Sequence, residues 1–183
     1  MAIACQQEKL VKLNGHIMAV SLDPNILQKN FRILKPLAAG SFGEVKLACH
    51  IPTKTKVAIK VLRKKSNALC EIKSEIKILQ SLEHSNIIQF FHIIDTQSRT
   101  YIVMEYVAGK DLKLFISEVG YVKEQEARPI FQQVVSAVHF LHQRRIAHRD
   151  IKLENILIDR DGNVKLCDFG LAIQLTEGQM LKK

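Results

Sequence analysis

His148-Arg149-Asp150-Ile151-Lys152-Leu153-Glu154-Asn155, followed by Asp168-Phe169-Gly170 eighteen residues after Asp150, is the stretch on which the reading of this chain turns. It fits the pattern H-R-D-x-K-x-x-N with a D-F-G downstream. A lone loop aspartate is usually a solvated carboxylate, but two acids, a lysine and an asparagine at this joint spacing are a poor product of chance. Moving a phosphoryl group needs little covalent help. It needs an in-line hydroxyl, a group that orients it, and a divalent metal that neutralises the phosphates. Asp150 can accept or orient the hydroxyl and Lys152 can steady the transferred phosphate, while Asn155 and Asp168 can bind Mg2+ from opposite sides.

Upstream, Leu37-Ala38-Ala39-Gly40-Ser41-Phe42-Gly43-Glu44-Val45 lies between two β-rich runs. A glycine-rich hairpin there could fold over phosphates and offer them backbone N–H groups, although alone it reads equally as a plain β-turn. Val57-Ala58-Ile59-Lys60 adds a lysine at the end of an apolar strand, within reach of the α- and β-phosphates. Such a lysine needs an anionic anchor. Glu75, bracketed by Ile72, Ile76 and Leu79, is positioned to supply it, with Glu71 one turn earlier as its rival.

The surrounding pattern predicts an α+β chain. Phe31 to Leu37, Glu44 to Cys49 and Lys56 to Leu62 read as three antiparallel strands, and Leu69, Ile72, Ile76, Leu79 and Leu82 recur at the spacing of an amphipathic helix. Ile87 to Ile94 and Tyr101 to Val107 predict a hairpin. Helical character follows around Asp111 to Val119 and from about Glu124 to His142, then two short strands around the Asp161-Gly162-Asn163 turn. The apolar members of the Glu124 to His142 helix cover more than half its circumference, which calls for neighbours on several sides; the rest of the chain holds too few partners to cover it, so an exposed apolar patch is expected. Three segments result: residues 1–30, an extension of uncertain structure; 31–107, the sheet and its helix; and 108–183, mainly helical.

Bulk composition narrows the function classes. The 183 residues are 47% hydrophobic, enough for a real core. No run approaches the roughly 18 apolar residues of a membrane span, so no membrane partner is expected and the chain is read as cytoplasmic, with a nuclear share compatible. Cys5, Cys49, Cys70 and Cys167 are scattered without a C-x-x-C pair, which argues against a zinc site or disulfide framework. The net charge of +9 raises nucleic acid as a partner, but Trp is absent and no aromatic-rich basic motif occurs, so none is expected. A basic face meeting nucleotide phosphates accounts for part of the charge.

With these residues in place, the chain from about Phe31 onward resembles the eukaryotic protein kinases, and Lys152 is the choice typical of the serine/threonine members. The resemblance implies a two-lobe fold with a complete antiparallel N-lobe sheet carrying one helix, and a partial, mainly helical C-lobe. It implies ATP and Mg2+, a protein substrate with a Ser or Thr hydroxyl, and an upstream activating kinase for a full-length form. Lys60 and Glu75 then join Asp150 and Lys152 as catalytic residues, with Asn155 and Asp168 on the metal. Leu37, Gly40, Ser41, Phe42, Gly43, Val45, Ala58, Lys60 and Leu157 would line the nucleotide, with Met104 as gatekeeper. Glu105 and Val107 would bond adenine through their backbones and Asp111 would lie near the ribose. Leu79, Phe90, His148 and Phe169 would stack as a hydrophobic spine. Glu124 to Phe131 and Asp161 to Leu166 look like the calmodulin-dependent and AMP-activated branch, near the sperm motility or microtubule-affinity-regulating kinases.

Two departures qualify the resemblance. Ala38 stands where the first glycine of the loop is expected, at a cost of about 1–2 kcal/mol if that position needs positive φ and none if it is extended. The sequence stops thirteen residues after Gly170, before any A-P-E segment. That ending motivates a second reading, a weak or inactive nucleotide-binding regulatory fragment, and a third, a remnant without function. Cys167, just before Asp168, reads either as a small buried apolar residue or as a thiol at the floor of the nucleotide site.

Overall fold

Val57, Ile59 and Val61 alternate along one run of the chain, and in the computed structural model that run is a central strand of a six-stranded sheet. The structure describes residues 19–21, 26–40, 43–64 and 69–175. Strands β1 (Ala19–Ser21), β2 (Phe31–Gly40), β3 (Gly43–His50), β4 (Lys56–Arg63), β5 (Phe90–Asp95) and β6 (Arg99–Glu105) lie in the order β1-β5-β6-β4-β3-β2. The expected antiparallel sheet is present in β2 to β6, and β1 adds a strand parallel to β5. Register shifts at Ile33/Lys35 and Pro36/Ala38 bend β2. As an edge strand, β2 can hold Pro36, which has no N–H to donate to a ladder.

The chain divides into two units, residues 1–63 with 90–104 and residues 64–89 with 105–183. The core of the first joins Ile26, Phe31, Ala48, Val57, Ile59, Ile94 and Val103. Successive side chains of a strand point to opposite faces. Val57 and Ile59 therefore define one face of β4, and Ala58 and Lys60 the other.

The second unit contains helices α2 (Leu69–Gln80), α3 (Leu112–Val119) and α4 (Glu124–Gln143), all three as expected from the sequence. The three-residue strand β7 (Gly109–Asp111) pairs with β9 (Ile156–Asp159), which pairs in turn with β10 (Val164–Leu166). A Cβ on Gly109 would lie 1.9 Å from the Ile158 carbonyl oxygen, so only glycine lets β7 approach β9 this closely. Strand β8 (Ile146–Ala147) pairs with β11 (Ile173–Gln174).

One sequence expectation changes. The apolar run from Ile87 is not all hairpin: Ile87 and Ile88 stop short of β5, and the Ile88 N–H donates to the Leu166 carbonyl at 2.9 Å while the Leu166 N–H donates to Asn86 at 2.8 Å. A second backbone partner, β10, captures the start of the run. Helix α4 buries only Ala137 and Leu141 completely, while Phe131 and Val135 are 66% and 47% exposed. Its contacts with β8 and β10 cover one stripe, and the exposed apolar patch expected of this helix is present.

Candidate active site

The loop between β8 and β9 is held by its own backbone and by the segment that follows β10. Cys167 donates its N–H to the Asn155 carbonyl at 2.9 Å, and its own carbonyl accepts from His148 Nε2 at 3.0 Å. The Asp150 N–H reaches His148 Nδ1 at 3.3 Å. With Nδ1 accepting and Nε2 donating, His148 is the neutral Nε2–H tautomer. Arg149 Nε donates to the Leu171 carbonyl at 2.7 Å. The loop thus clasps Cys167 to Leu171 at both ends.

Within that clasp, Asp150 Oδ2 accepts from Lys152 Nζ at 2.8 Å and from Asn155 Nδ2 at 2.8 Å. Asn155 Nδ2 also donates to the Asp150 carbonyl at 2.8 Å. Both donations fix the amide, so the oxygen that Asn155 has to offer is Oδ1. Three of the predicted residues, Asp150, Lys152 and Asn155, are therefore in direct contact. Asp168 and Arg149 sit in the left-handed region, with φ of 59° and 64°. Non-glycine residues there carry strain that persists only where surrounding structure enforces it, a pattern common at active sites.

Electrostatics assign charges. The Lys152 ammonium holds the Asp150 carboxyl below its ordinary range, against partial burial and with help from Asn155. Lys152 is raised in turn, first by the same bond to Asp150. Asp150 is thus held as a carboxylate rather than as a protonated acid. Burial pushes His148 down despite the Cys167 carbonyl and the nearby aspartates, and its ring meets Phe169 edge-on with centroids 4.8 Å apart.

A pH dependence follows. The unfolded chain takes up a proton on this histidine near its ordinary value of about 6.5, whereas the folded chain resists until lower pH. Stability should fall as pH drops below about 6.5 and level off below the folded-state value. Urea unfolding at a series of pH values checks this: the slope should diminish in His148→Gln. Burial also lowers His50 and His84, the latter assisted by Lys165 and Arg144, so part of the slope should remain.

In the first unit, Lys60 and Ala58 share one face of β4. Val45 pairs with Lys60 in register, and on β6 Met104 alternates away from the core residue Val103. Val45, Ala58, Lys60 and Met104 therefore occupy the same sheet face, opposite the Ile59 core. Lys60 is 6% exposed, and in the second unit Glu75 is 5% exposed. Buried charges persist only with partners, and among the described residues no buried side-chain nitrogen or oxygen lacks one. Glu71, the rival of Glu75, has a side chain outside the described set, as do Ser41 and Phe42.

Gly40 and Gly43 close the β2–β3 hairpin as paired residues, and Leu37 is 40% exposed beside them. Gly43 has φ of 129°, and a Cβ there would lie 2.5 Å from the Val61 carbonyl oxygen. Gly43→Ala should cost about 1–3 kcal/mol through this overlap and the unfavourable φ, read from the urea midpoint. Ala38 is different. It pairs with Val45 inside β2 and is not among the positive-φ residues, so the missing glycine carries no backbone penalty.

After β6, the Glu105 N–H donates to the Gln89 carbonyl at 2.8 Å and the Val107 carbonyl accepts from Gly109 at 2.9 Å. The Glu105 carboxylate, not anticipated from the sequence, pairs with Lys165 at 2.9 Å and accepts from the Gln89 N–H at 3.1 Å. Asp111 caps α3, its Oδ1 accepting from the Leu114 N–H at 2.8 Å. An aspartate before an apolar periodic run was the available signal. Leu157 lies half-buried on β9 opposite Asp111 and Lys165. Leu79, Phe90, His148 and Phe169 are all buried.

Asn86 is a further supporting residue. Its Nδ2 donates to Gln133 Oε1 at 2.9 Å and to the Val164 carbonyl at 3.0 Å, and Gln133 also binds the Val164 N–H and the Gly162 carbonyl. This network ties the segment after α2 to α4 and to the β9–β10 turn.

The family described as "Protein kinase domain" matches residues 31–183. "Putative sperm motility kinase W" of Mus musculus is 48% identical over 153 residues, covering 84% of this chain and 31% of that protein. "SNF1-related protein kinase catalytic subunit alpha KIN12" of Arabidopsis thaliana is 46% identical over 157 residues, covering 84% and 32%. The chain thus spans about a third of the length of these relatives.

Proposed function

Because the chain belongs to the protein kinase domain family, we propose that it represents the nucleotide-binding and catalytic part of a serine/threonine kinase that transfers the γ-phosphate of ATP to a protein hydroxyl. The observation that carries this reading is the contact of Asp150 with both Lys152 and Asn155. A charged acceptor lies beside an ammonium suited to a transferred phosphate, next to an amide whose oxygen is left for a metal.

The donor set suits Mg2+. Asn155 Oδ1 and the Asp168 carboxylate are hard oxygens, and Mg2+ bound with a nucleotide takes one or two protein oxygens, the rest coming from phosphate and water. Among the described residues there is no cluster of three or more His, Cys, Asp or Glu that could hold an ion alone, in keeping with a site shared with phosphates. When bound, the metal neutralises phosphate charge as it builds toward the transition state.

The chain's own residues supply the rest. Asp150 orients the acceptor hydroxyl and receives its proton late, as expected of a carboxylate with a depressed pKa. Lys152, held on Asp150, balances charge on the phosphate in transit. Val45, Ala58 and Met104 form an apolar sheet face for adenine, and Lys60 on the same face supports the α- and β-phosphates. Hydroxyl specificity is tested by incubating the protein with γ-labelled ATP and a mixed peptide library, then identifying the modified amino acids. Label on serine and threonine supports the reading; label on tyrosine refutes it.

The second reading, a nucleotide-binding regulatory module that transfers no phosphate, retains the same ATP contacts. Robust transfer that depends on Asp168 would exclude it.

A further inference from the structure

We propose that residues 19–21 and 26–30 form a strap that is an integral layer of the first unit, closing the outer edge of β5 with β1 and covering the sheet face opposite Lys60 with the short helix α1 (Ile26–Asn30). The matched kinase domain begins at Phe31, so the strap lies outside it.

Three separate observations support it. First, β1 runs parallel to β5 with Ala19 opposite His92, Val20 opposite Ile93 and Ser21 opposite Ile94. Without it, β5 would present an edge of backbone donors and acceptors, a template for pairing with other chains. Second, Ile26 is only 8% exposed and joins Phe31, Ala48, Val57, Ile59, Ile94 and Val103, with Leu27 packed against the same group. Val57 and Ile59 alternate with Ala58 and Lys60, so α1 lies behind β4, on the face away from the lysine. Third, the Asn30 carbonyl accepts from the Ile51 N–H at 2.7 Å, which fastens the end of α1 to the β3–β4 turn.

A five-residue helix is unstable by itself in water. Docking of Ile26 is what holds α1 in shape, and in return the side chain completes a core that would otherwise open onto solvent. The strap is therefore a structural requirement of the sheet that carries Lys60, not a passive leader to it.

Urea unfolding of the full chain with Ile26→Ala and Gln28→Ala, together with hydrogen exchange on the unmodified chain, tests this. Ile26→Ala should lower the folding equilibrium constant on the order of 30-fold or more, as for a buried isoleucine truncated to alanine. Gln28 is exposed, and its replacement should change the constant by no more than about 2-fold. In the unmodified chain, amides of residues 19–21 should be protected along with those of 92–94. An Ile26→Ala effect no greater than that of Gln28→Ala overturns the strap. Exchange of residues 19–21 at the rate of an unstructured peptide overturns it as well, whatever the variants do. If Ile26→Ala does not fold, the exchange measurement on the unmodified chain decides.

Discussion

Asp150→Asn should lower phosphoryl transfer by about 10²–10⁴-fold, the range for removal of a positioned acid–base group. The carboxylate is held charged by Lys152 and fixed by Asn155, and an amide at the same place cannot take the hydroxyl proton. The substitution leaves the Asp150 backbone bonds to His148 and Asn155 available, so the loop should keep its shape. ATP affinity should accordingly change little while turnover collapses, a split that steady-state kinetics on the full-length protein resolves. Equal loss of affinity and turnover would instead point to a distorted loop. Unchanged turnover would remove Asp150 from the chemistry altogether.

Phe169→Ala is expected to produce the largest loss of stability, about 3–5 kcal/mol. Phe169 is 1% exposed and meets the His148 ring edge-on, so truncation opens a cavity beside a neutral buried imidazole. The loss reaches further than one contact, because His148 bridges the Asp150 N–H and the Cys167 carbonyl. A destabilised imidazole would loosen both strands of the clasp. Denaturant unfolding gives the magnitude, and Phe169→Leu, which keeps most of the volume, should lose much less. A cost below about 1 kcal/mol for the alanine variant would mean that the ring is not part of the core.

The catalytic loop was readable from sequence because its chemistry is local. Asp150, Lys152 and Asn155 lie within six consecutive residues, and their side chains meet one another in the structure. The glycine-rich hairpin was readable for a similar reason, since Gly43 is needed by a close approach to Val61 within a short hairpin sheet. Long-range ties were not. The Glu105–Lys165 ion pair joins residues sixty apart, and the Asn86–Gln133 bond joins residues forty-seven apart. No periodicity marks such partners. The strand Ala19–Ser21 and the helix Ile26–Asn30 left no readable pattern because they are three and five residues long, each shorter than the window in which an apolar period becomes visible. The breadth of apolar residues on Glu124–Gln143 was read correctly as composition, but only the stripe with Ala137 and Leu141 has neighbours to bury it.

Asp168, held at positive φ beside the Asp150 loop, is proposed to bind Mg2+ together with a nucleotide. Calorimetric titration of ATP into the protein, with and without Mg2+, tests it most directly when run alongside Asp168→Asn. Saturable binding that strengthens with Mg2+, and a Mg2+ effect that disappears in Asp168→Asn, is the predicted result. Binding indifferent to Mg2+, a Mg2+ effect intact in the variant, or no binding at all would contradict it.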